Sequence, residues 1–309
     1  MKTRNISALS ILTLAFLTSG VIKAQRLCPR VIRALFVGAF AITFLVTASN
    51  AFAFTFTTID VPGATSTGLA RISAAGRMVG GYTDAGGTGH GFLLDQGVFT
   101  TIDFPGSTGT SLAGINGAGQ IVGAYSDAGG GVHGFLLDKG AFTTIDPPGS
   151  TFTFTGDING RSQIVGFYVD AGGTGHGFLL DKGTFTTIDP PGSLFTQAIG
   201  INAAGQIVGD FETAGEHHGF LLDKGIFVTI DFPGALSTDA LGINAAAQIV
   251  GRYFTGGTEH GFLLHNGTFT TIDPPGSTFT EAIGINAPGQ IVGDYTDAGG
   301  TGHGFLATP

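Results

Sequence analysis

From residue 54 to 309 the chain alternates short apolar runs with turn signals rich in Gly, Asp and Pro, and the order of runs recurs. The F-x-T-I-D run starts at Phe56, Phe99, Phe142, Phe185, Phe227 and Phe269, with spacings of 43, 43, 43, 42 and 42 residues. Each unit carries four runs, in the second unit Phe99–Asp103, Leu112–Asn116, Gln120–Tyr125 and Gly134–Asp138. Thr, Val, Ile, Phe and Gly dominate them, as short strands and tight turns require, and no unit holds a helical pattern ten residues long. The chain is therefore expected to be all-β.

The runs QIVG and GFLL are almost continuously apolar or Gly, the pattern of strands covered on both faces. A period near 42 residues with four strands per unit fits blades packed around an axis. Phase sharpens this expectation. The repeat region opens on an F-T-T-I-D strand and ends on His-Gly-Phe-Leu, where the next such strand would follow. If each blade runs outward as GIN, QIVG, HGFLL and FTTID, then Phe56–Asp60 supplies the outer strand of the last blade. This predicts a six-bladed β-propeller closed by its N-terminal strand, which leaves no sheet edge open. An open β-solenoid is the alternative.

The turns agree. I-N-x-x-G-Q-I joins the first two strands, and Pro288-Gly289 suits the centre of a type II turn. Ser162 and Ala247 replace the turn Gly in units three and five, at an expected cost of about 1 kcal/mol each. Asp138, Asp181 and Asp223 open tight D-K-G hairpins.

Residues 1–53 read differently. They hold six basic residues (Lys2, Arg4, Lys23, Arg26, Arg30, Arg33) and no acidic one. Arg30 and Arg33 precede an apolar run from Ala34 to Val46, and Ala51-Phe52-Ala53 offers small residues for cleavage. That order is a secretory signal, with cleavage expected after Ala53, and the apolar run is short for a membrane span. For the upstream run Ile6–Ile22 two readings compete: an unusually long leader or membrane anchor, or a later true start, with Val31 a candidate beginning. Cys28 falls within this leader, so residues 54–309 carry no cysteine and no disulfide. They carry 7 basic and 22 acidic residues, a formal charge of −15. Such a body repels phosphate backbones and anionic lipid, which argues against nucleic-acid or membrane partners once the leader is removed. The expected locations are outside the cell, in the periplasm or on the cell surface, with the chain as a monomer.

The block INGAGQIVG (115–123), repeated as INAAGQIVG (201–209) and INAPGQIVG (285–293), resembles the HAF-family extracellular repeats of exported bacterial proteins. The likeness covers all the units, but the family's His-Ala-Phe step is His-Gly-Phe here, at His90, His133, His176, His218, His260 and His303. The first unit departs further, with Arg71-Ile72-Ser73 where others have Gly-Ile-Asn. The resemblance implies export and a repeat fold, and brings no catalytic residues.

One histidine per unit implies a ring of structural hydrogen bonds instead of a converging metal site. The Asp of each T-I-D (Asp60, Asp103, Asp146, Asp189, Asp231, Asp273) is expected to bond turn amides. The Asp-Ala-Gly-Gly loops at Asp84, Asp127, Asp170 and Asp297 lack the alternating oxygen ligands of a calcium loop. No phosphate loop, dinucleotide fingerprint, Ser nucleophile motif or spaced Cys/His site occurs. Departures from the repeat are the better guide, since a site on a symmetric scaffold needs unique residues. Glu212, Glu216, His217 and His218 share one loop of unit four, while Glu259, His260 and His265 lie in and after the corresponding loop of unit five. Glu216, His217 and Glu259 are a possible divalent-metal set. Phe152, Phe154, Phe195 and Phe279, among Ser and Thr, lie in the connections between units, where they either pack between blades or offer a binding face. The sequence thus predicts a secreted, non-enzymatic module that binds or displays through its loop face, with a glycan or a surface protein as partner and no cofactor. The alternative is an exported polysaccharide hydrolase or lyase using the Glu/His cluster of units four and five.

Overall fold

Twenty-four strands and no helix make up residues 53–309, the part described by the computed structural model. The leader, with Cys28 and Val31, lies outside the described residues. Among these residues no helix is long and apolar enough to cross a membrane.

Strand β1 (Thr55–Ile59) precedes a first unit of β2 (Ser66–Ile72), β3 (Met78–Thr83), β4 (Gly89–Asp95) and β5 (Val98–Ile102). The second unit is β6 (Gly109–Ile115), β7 (Ile121–Ser126), β8 (Val132–Asp138) and β9 (Ala141–Ile145). The third is β10 (Ser150–Ile158), β11 (Ile164–Asp170), β12 (Gly175–Asp181) and β13 (Thr184–Ile188). The fourth is β14 (Phe195–Ile201), β15 (Ile207–Glu212), β16 (His217–Asp223) and β17 (Ile226–Ile230). The fifth is β18 (Ser237–Ile243), β19 (Ile249–Phe254), β20 (Glu259–His265) and β21 (Thr268–Ile272). The last is β22 (Phe279–Ile285), β23 (Ile291–Thr296) and β24 (Gly302–Thr308).

Each unit is an antiparallel sheet in chain order, so GIN, QIVG, HGFLL and FTTID succeed one another as the phase predicts. Single parallel pairs, Gly175 with Phe195 and His217 with Ser237, join the third, fourth and fifth units. β24 takes β1 as its outer partner, Thr55 opposite Thr308 and Ile59 opposite Gly304. The first and last described strands therefore share one sheet.

Burial explains the continuous apolar runs. Phe92, Phe135, Phe178, Phe220, Phe262 and Phe305, from the His-Gly-Phe steps, are almost wholly buried, each worth about 1.5–3 kcal/mol in transfer free energy. Every core cluster spans two neighbouring units. Val165 and Ile188 of the third pack with Ala198, Ile207 and Phe220 of the fourth. Val292 and Ile59 of the last sheet pack with Leu69 and Phe92 of the first.

At the narrow end of this packing the inner strands approach closely. A Cβ at Gly200 would lie 2.8 Å from the Leu241 carbonyl oxygen, and one at Gly284 would lie 2.8 Å from that of Ala70. In this register two units carry side chains instead, Arg71 and Asp157. Arg71 donates to the carbonyls of Ile283 (2.8 Å), Ile199 (2.8 Å) and Leu241 (2.9 Å), and its Nε lies 3.2 Å from Asp157 Oδ2. One buried ion pair thus ties together the inner strands of most units.

The turn asparagines form a second set of ties. Asn116, Asn159, Asn202 and Asn244 each donate Nδ2–H to the backbone carbonyl of the next unit's Asn, at 3.0–3.1 Å, and Asn286 reaches Ser73 O at 3.5 Å. These turns differ from expectation in register. The bond runs from Gly289 N to Asn286 O, so Pro288 is the second central residue and Gly289 closes the turn. Asn Oδ1 captures the amides that follow, which fixes this earlier closure. Ser162 and Ala247 do occupy the left-handed region, at φ 59° and 56°.

Candidate functional site at the loop end

Each inner strand begins beside the loop that joins the second and third strands of its own unit, opposite the asparagine turns: Ser66 pairs with Thr83, and Thr65 N donates to Thr83 O. This loop end carries the histidines. His90 Nδ1 lies 2.9 Å from Asp103 Oδ2, and Nε2 lies 3.4 Å from Asp84 Oδ2. The hydrogen bond to Asp103 raises the His90 pKa above its ordinary value. Asp84 Oδ1 accepts from Gly86 N and Thr88 N, both at 2.8 Å, and the Thr88 amide leads the effects holding Asp84 low. His133 and His303 repeat the arrangement, and Tyr82, Tyr125 and Tyr295 lie against the imidazoles. Each of the six His-Gly-Phe histidines bonds the T-I-D aspartate beside it, so they form a ring of hydrogen bonds. The T-I-D aspartates are not turn caps, however: they accept from imidazole, while Val61, Phe104 and Phe232 amides go to Thr67, Thr110 and Thr238 hydroxyls.

Non-repeating chemistry sits one step further in. At each junction between units three positions recur in register: the fourth residue of the second strand, the residue before His-Gly-Phe, and a residue of the next inner strand. Between units one and two they are Gly81, Gly89 and Ser111, and a Cβ on Gly81 would lie 3.7 Å from Ser111 Oγ. Between three and four, Phe195 covers Gly175 and its ring lies 6.1 Å from Phe167, which also meets Phe152 and Phe154 at 5.6 and 5.7 Å. Between four and five they are Asp210, His217 and Asp239; between five and the last, Arg252, Glu259 and Glu281. Asp294 then faces Gly68, whose Cβ would lie 3.7 Å away.

The charged junctions form a continuous arc. His217 Nε2 lies 3.2 Å from Asp210 Oδ2 and 2.9 Å from Asp239 Oδ1. Arg252 bonds Asp239 and Glu281 and lies 3.4 Å from Glu259. The carboxylates of Asp210 and Asp239, both close to Nε2, push the His217 pKa up to about 10. Burial raises Asp210 to about 6, whereas in Asp239 burial is outweighed by the neighbouring His217 imidazole and Arg252 guanidinium, which hold the carboxyl low. Burial, reinforced by the Glu281 charge, raises Asp294 to about 7.

The predicted Glu/His cluster is divided by this geometry. Glu216, exposed, pairs with His218 (3.3 Å), whose Nδ1 binds Asp231 (2.9 Å). Glu212 Oε1 is 3.8 Å from His217 Nδ1. Glu259 goes to Arg252, and His260 to Asp273 (2.7 Å) and Thr258 (2.9 Å), so the set Glu216, His217, Glu259 does not assemble around one point. Phe195 packs between units, while Phe279 opens β22 half-buried. Asp210, Asp239, Arg252, Glu281 and Asp294 escaped the sequence reading. Comparing the repeats column by column exposes three of them, because Gly81, Ala124, Phe167, Asp210, Arg252 and Asp294 share one column between a constant Gly and an aromatic residue.

Glu216, His217 and His218 also line a pocket of about 270 Å³ between units four and five, with Phe232, Leu236 and Ser237 opposite. A similar pocket of about 240 Å³ lies between units one and two, beside His90 and Phe104. At the opposite end a cavity of about 180 Å³ is floored by Arg71 and Asp157.

No family model and no curated protein matches the chain. Among solved structures, TolB from Acinetobacter baumannii aligns with TM-score 0.55 at 11% identity, over 75% of this chain and 63% of TolB. A mutant Aleuria aurantia lectin in complex with Fucα1-6GlcNAc aligns with TM-score 0.50 at 14% identity, over 78% of this chain and 91% of the lectin. AofleA from Arthrobotrys oligospora aligns with TM-score 0.50 at 15% identity, over 83% of each chain. At such identities the likeness is one of fold, and the described region is a β-propeller.

Proposed function

We propose that the chain is an exported, non-enzymatic binding module that holds a glycan in the pocket between units four and five. Its frame on this reading is a six-bladed propeller closed by β1, supported by the β1–β24 pairing and by the shared core of the last and first units. Export rests on the basic, apolar and small-residue order of the leader and on the resemblance to exported repeat proteins.

The observation that carries the binding reading is the composition of that pocket. Phe232 and the exposed Leu236 offer an apolar wall, while Glu216, His218 and Ser237 offer hydrogen-bonding groups opposite. An apolar face with a few placed polar groups is what a sugar ring requires, since its C–H faces and hydroxyls alternate. One structure of this fold is a lectin holding a fucosylated disaccharide, which makes such a use of the fold familiar. The polysaccharide hydrolase or lyase reading loses ground because Glu216 and Glu259 serve different neighbours instead of flanking one bond.

A glycan array probed with the protein and with Glu216→Ala/His218→Ala tests this. The parent should retain specific glycans intact, and the double variant should lose them. Binding unchanged in the double variant, or release of cleaved sugar by the parent, would overturn it.

A further inference from the structure

The junction positions described above make a controlled comparison, because one backbone arrangement recurs with different side chains. Where units one and two meet, the three positions are Gly, Gly and Ser, and carry no charge. Where the fifth and last units meet, Glu259 and Glu281 face a cation, the Arg252 guanidinium. Where four and five meet, Asp210 and Asp239 face one another across a single imidazole nitrogen.

That nitrogen cannot satisfy both carboxylates. Nε2 bears at most one hydrogen, and the bond goes to Asp210. Asp239 Oδ1 is buried without a hydrogen-bond partner although it lies 2.9 Å from Nε2. The Asp210 and Asp239 side chains are 5% and 7% exposed, so water does not replace the missing donor. A buried carboxylate oxygen that lacks a hydrogen-bond donor is costly, and it lies beside the other two ligand atoms. All three atoms lie within 4.8 Å of one another. The arc as a whole holds five carboxylates (Asp210, Asp239, Glu259, Glu281, Asp294) against Arg252 and, when protonated, His217.

We propose that Asp210, His217 and Asp239 form a binding site for a divalent transition-metal ion of the zinc type, bound by one imidazole Nε2 and two carboxylate oxygens. Ligand atoms about 3 Å apart are the spacing such an ion imposes with bonds of about 2.0–2.2 Å. The mixed nitrogen and oxygen donor set excludes a hard, all-oxygen calcium site. The outer contacts suit it too. Glu212 stands 3.8 Å from Nδ1, the place of a carboxylate that orients a metal-bound histidine, and Arg252 holds the second oxygen of Asp239. On binding, the Nε2 proton leaves to solvent and the lone pair goes to the metal. Three protein ligands leave a coordination position for water, and His217 lines the pocket between units four and five.

Calorimetric titration of the full chain with Zn²⁺ alone, in the absence of any glycan, tests the site. One ion per chain with a Kd below about 10 µM is expected, and Co²⁺ should give a visible band displaced by Zn²⁺. His217→Gln and Asp239→Asn should each weaken binding by at least about tenfold, and His90→Ala should leave it unchanged. Melting curves confirm that each variant is folded. If Asp239→Asn does not fold, His217→Gln alone decides. No saturable binding below about 100 µM, or binding unaffected by His217→Gln, would overturn the proposal. Because no glycan is present, failure here leaves the glycan reading standing, and the reverse holds as well.

Discussion

At the scale of single residues, one buried pair sets the terms. Arg71 and Asp157 occupy a register where other units have Gly114, Gly200, Gly242 and Gly284, and they fill the space those glycines leave between inner strands. Removing one partner strands the other without water, so Asp157→Ala should destabilise the fold by about 3–5 kcal/mol, measured by urea unfolding. A loss under about 1 kcal/mol would mean that the three carbonyl bonds hold Arg71 without Asp157. The sequence displays Arg71 as a departure from Gly-Ile-Asn, but nothing in linear order points from it to Asp157. Their contact depends on where two inner strands meet. Asp294 gives a prediction of another kind. Its carboxyl is raised to about 7 by burial and the Glu281 charge, so the folded protein holds that proton more tightly than the unfolded chain. The stabilisation is complete below the ordinary carboxyl value near 4 and is lost as pH rises through about 7. Asp294→Asn should flatten stability against pH between about 4 and 7, and at pH 8 the variant should exceed the parent by on the order of 1–3 kcal/mol. An unchanged profile would show that the carboxyl ionises freely in the fold.

At the scale of elements, strands and their order were legible because their causes are local. QIVG and GFLL are continuous because both faces are covered, and the D-K-G hairpins use positive φ at Lys139 and Gly140, 50° and 82°. The asparagine turn was misplaced by one residue because Asn286 Oδ1 and Gln290 N bond each other, a local competition that residue propensities do not encode. Ala247 sits at φ 56° in a place where other turns have Gly, so Ala247→Gly should raise stability by about 0.5–1 kcal/mol in thermal melts. Ser162 is a poorer test, since its hydroxyl donates to Gln120 at 2.8 Å. Strand β1 makes the larger claim. Deleting residues 54–60 should expose the β24 edge and promote aggregation, whereas appending the same segment after Pro309 through a short Gly/Ser linker should restore the intact chain's light scattering. Equal behaviour of the deleted and intact chains would show that β1 contributes nothing to closure.

At the scale of the whole molecule, repetition supplies the scaffold and its interruptions supply the chemistry. Six near-copies account for the core, the hairpins, the asparagine ties and the His–Asp pairs, each of which recurs by register. What differs converges on the loop end of units three to six: an aromatic junction, the Asp210–His217–Asp239 junction and the arc through Arg252 to Asp294. The Glu/His cluster pointed to the correct loops but not the correct partners, because proximity in sequence joined Glu216 to His217 while the fold joins His217 to Asp210 and Asp239. The most direct test of the account is to make junction four–five resemble junction one–two. Residues 212–217 are replaced by 83–89, Asp210 by Gly and Asp239 by Ser, and glycan-array binding is compared with that of the parent. The account predicts a folded propeller that has lost the parent's glycan binding. Retention of the same glycans with undiminished affinity would contradict it.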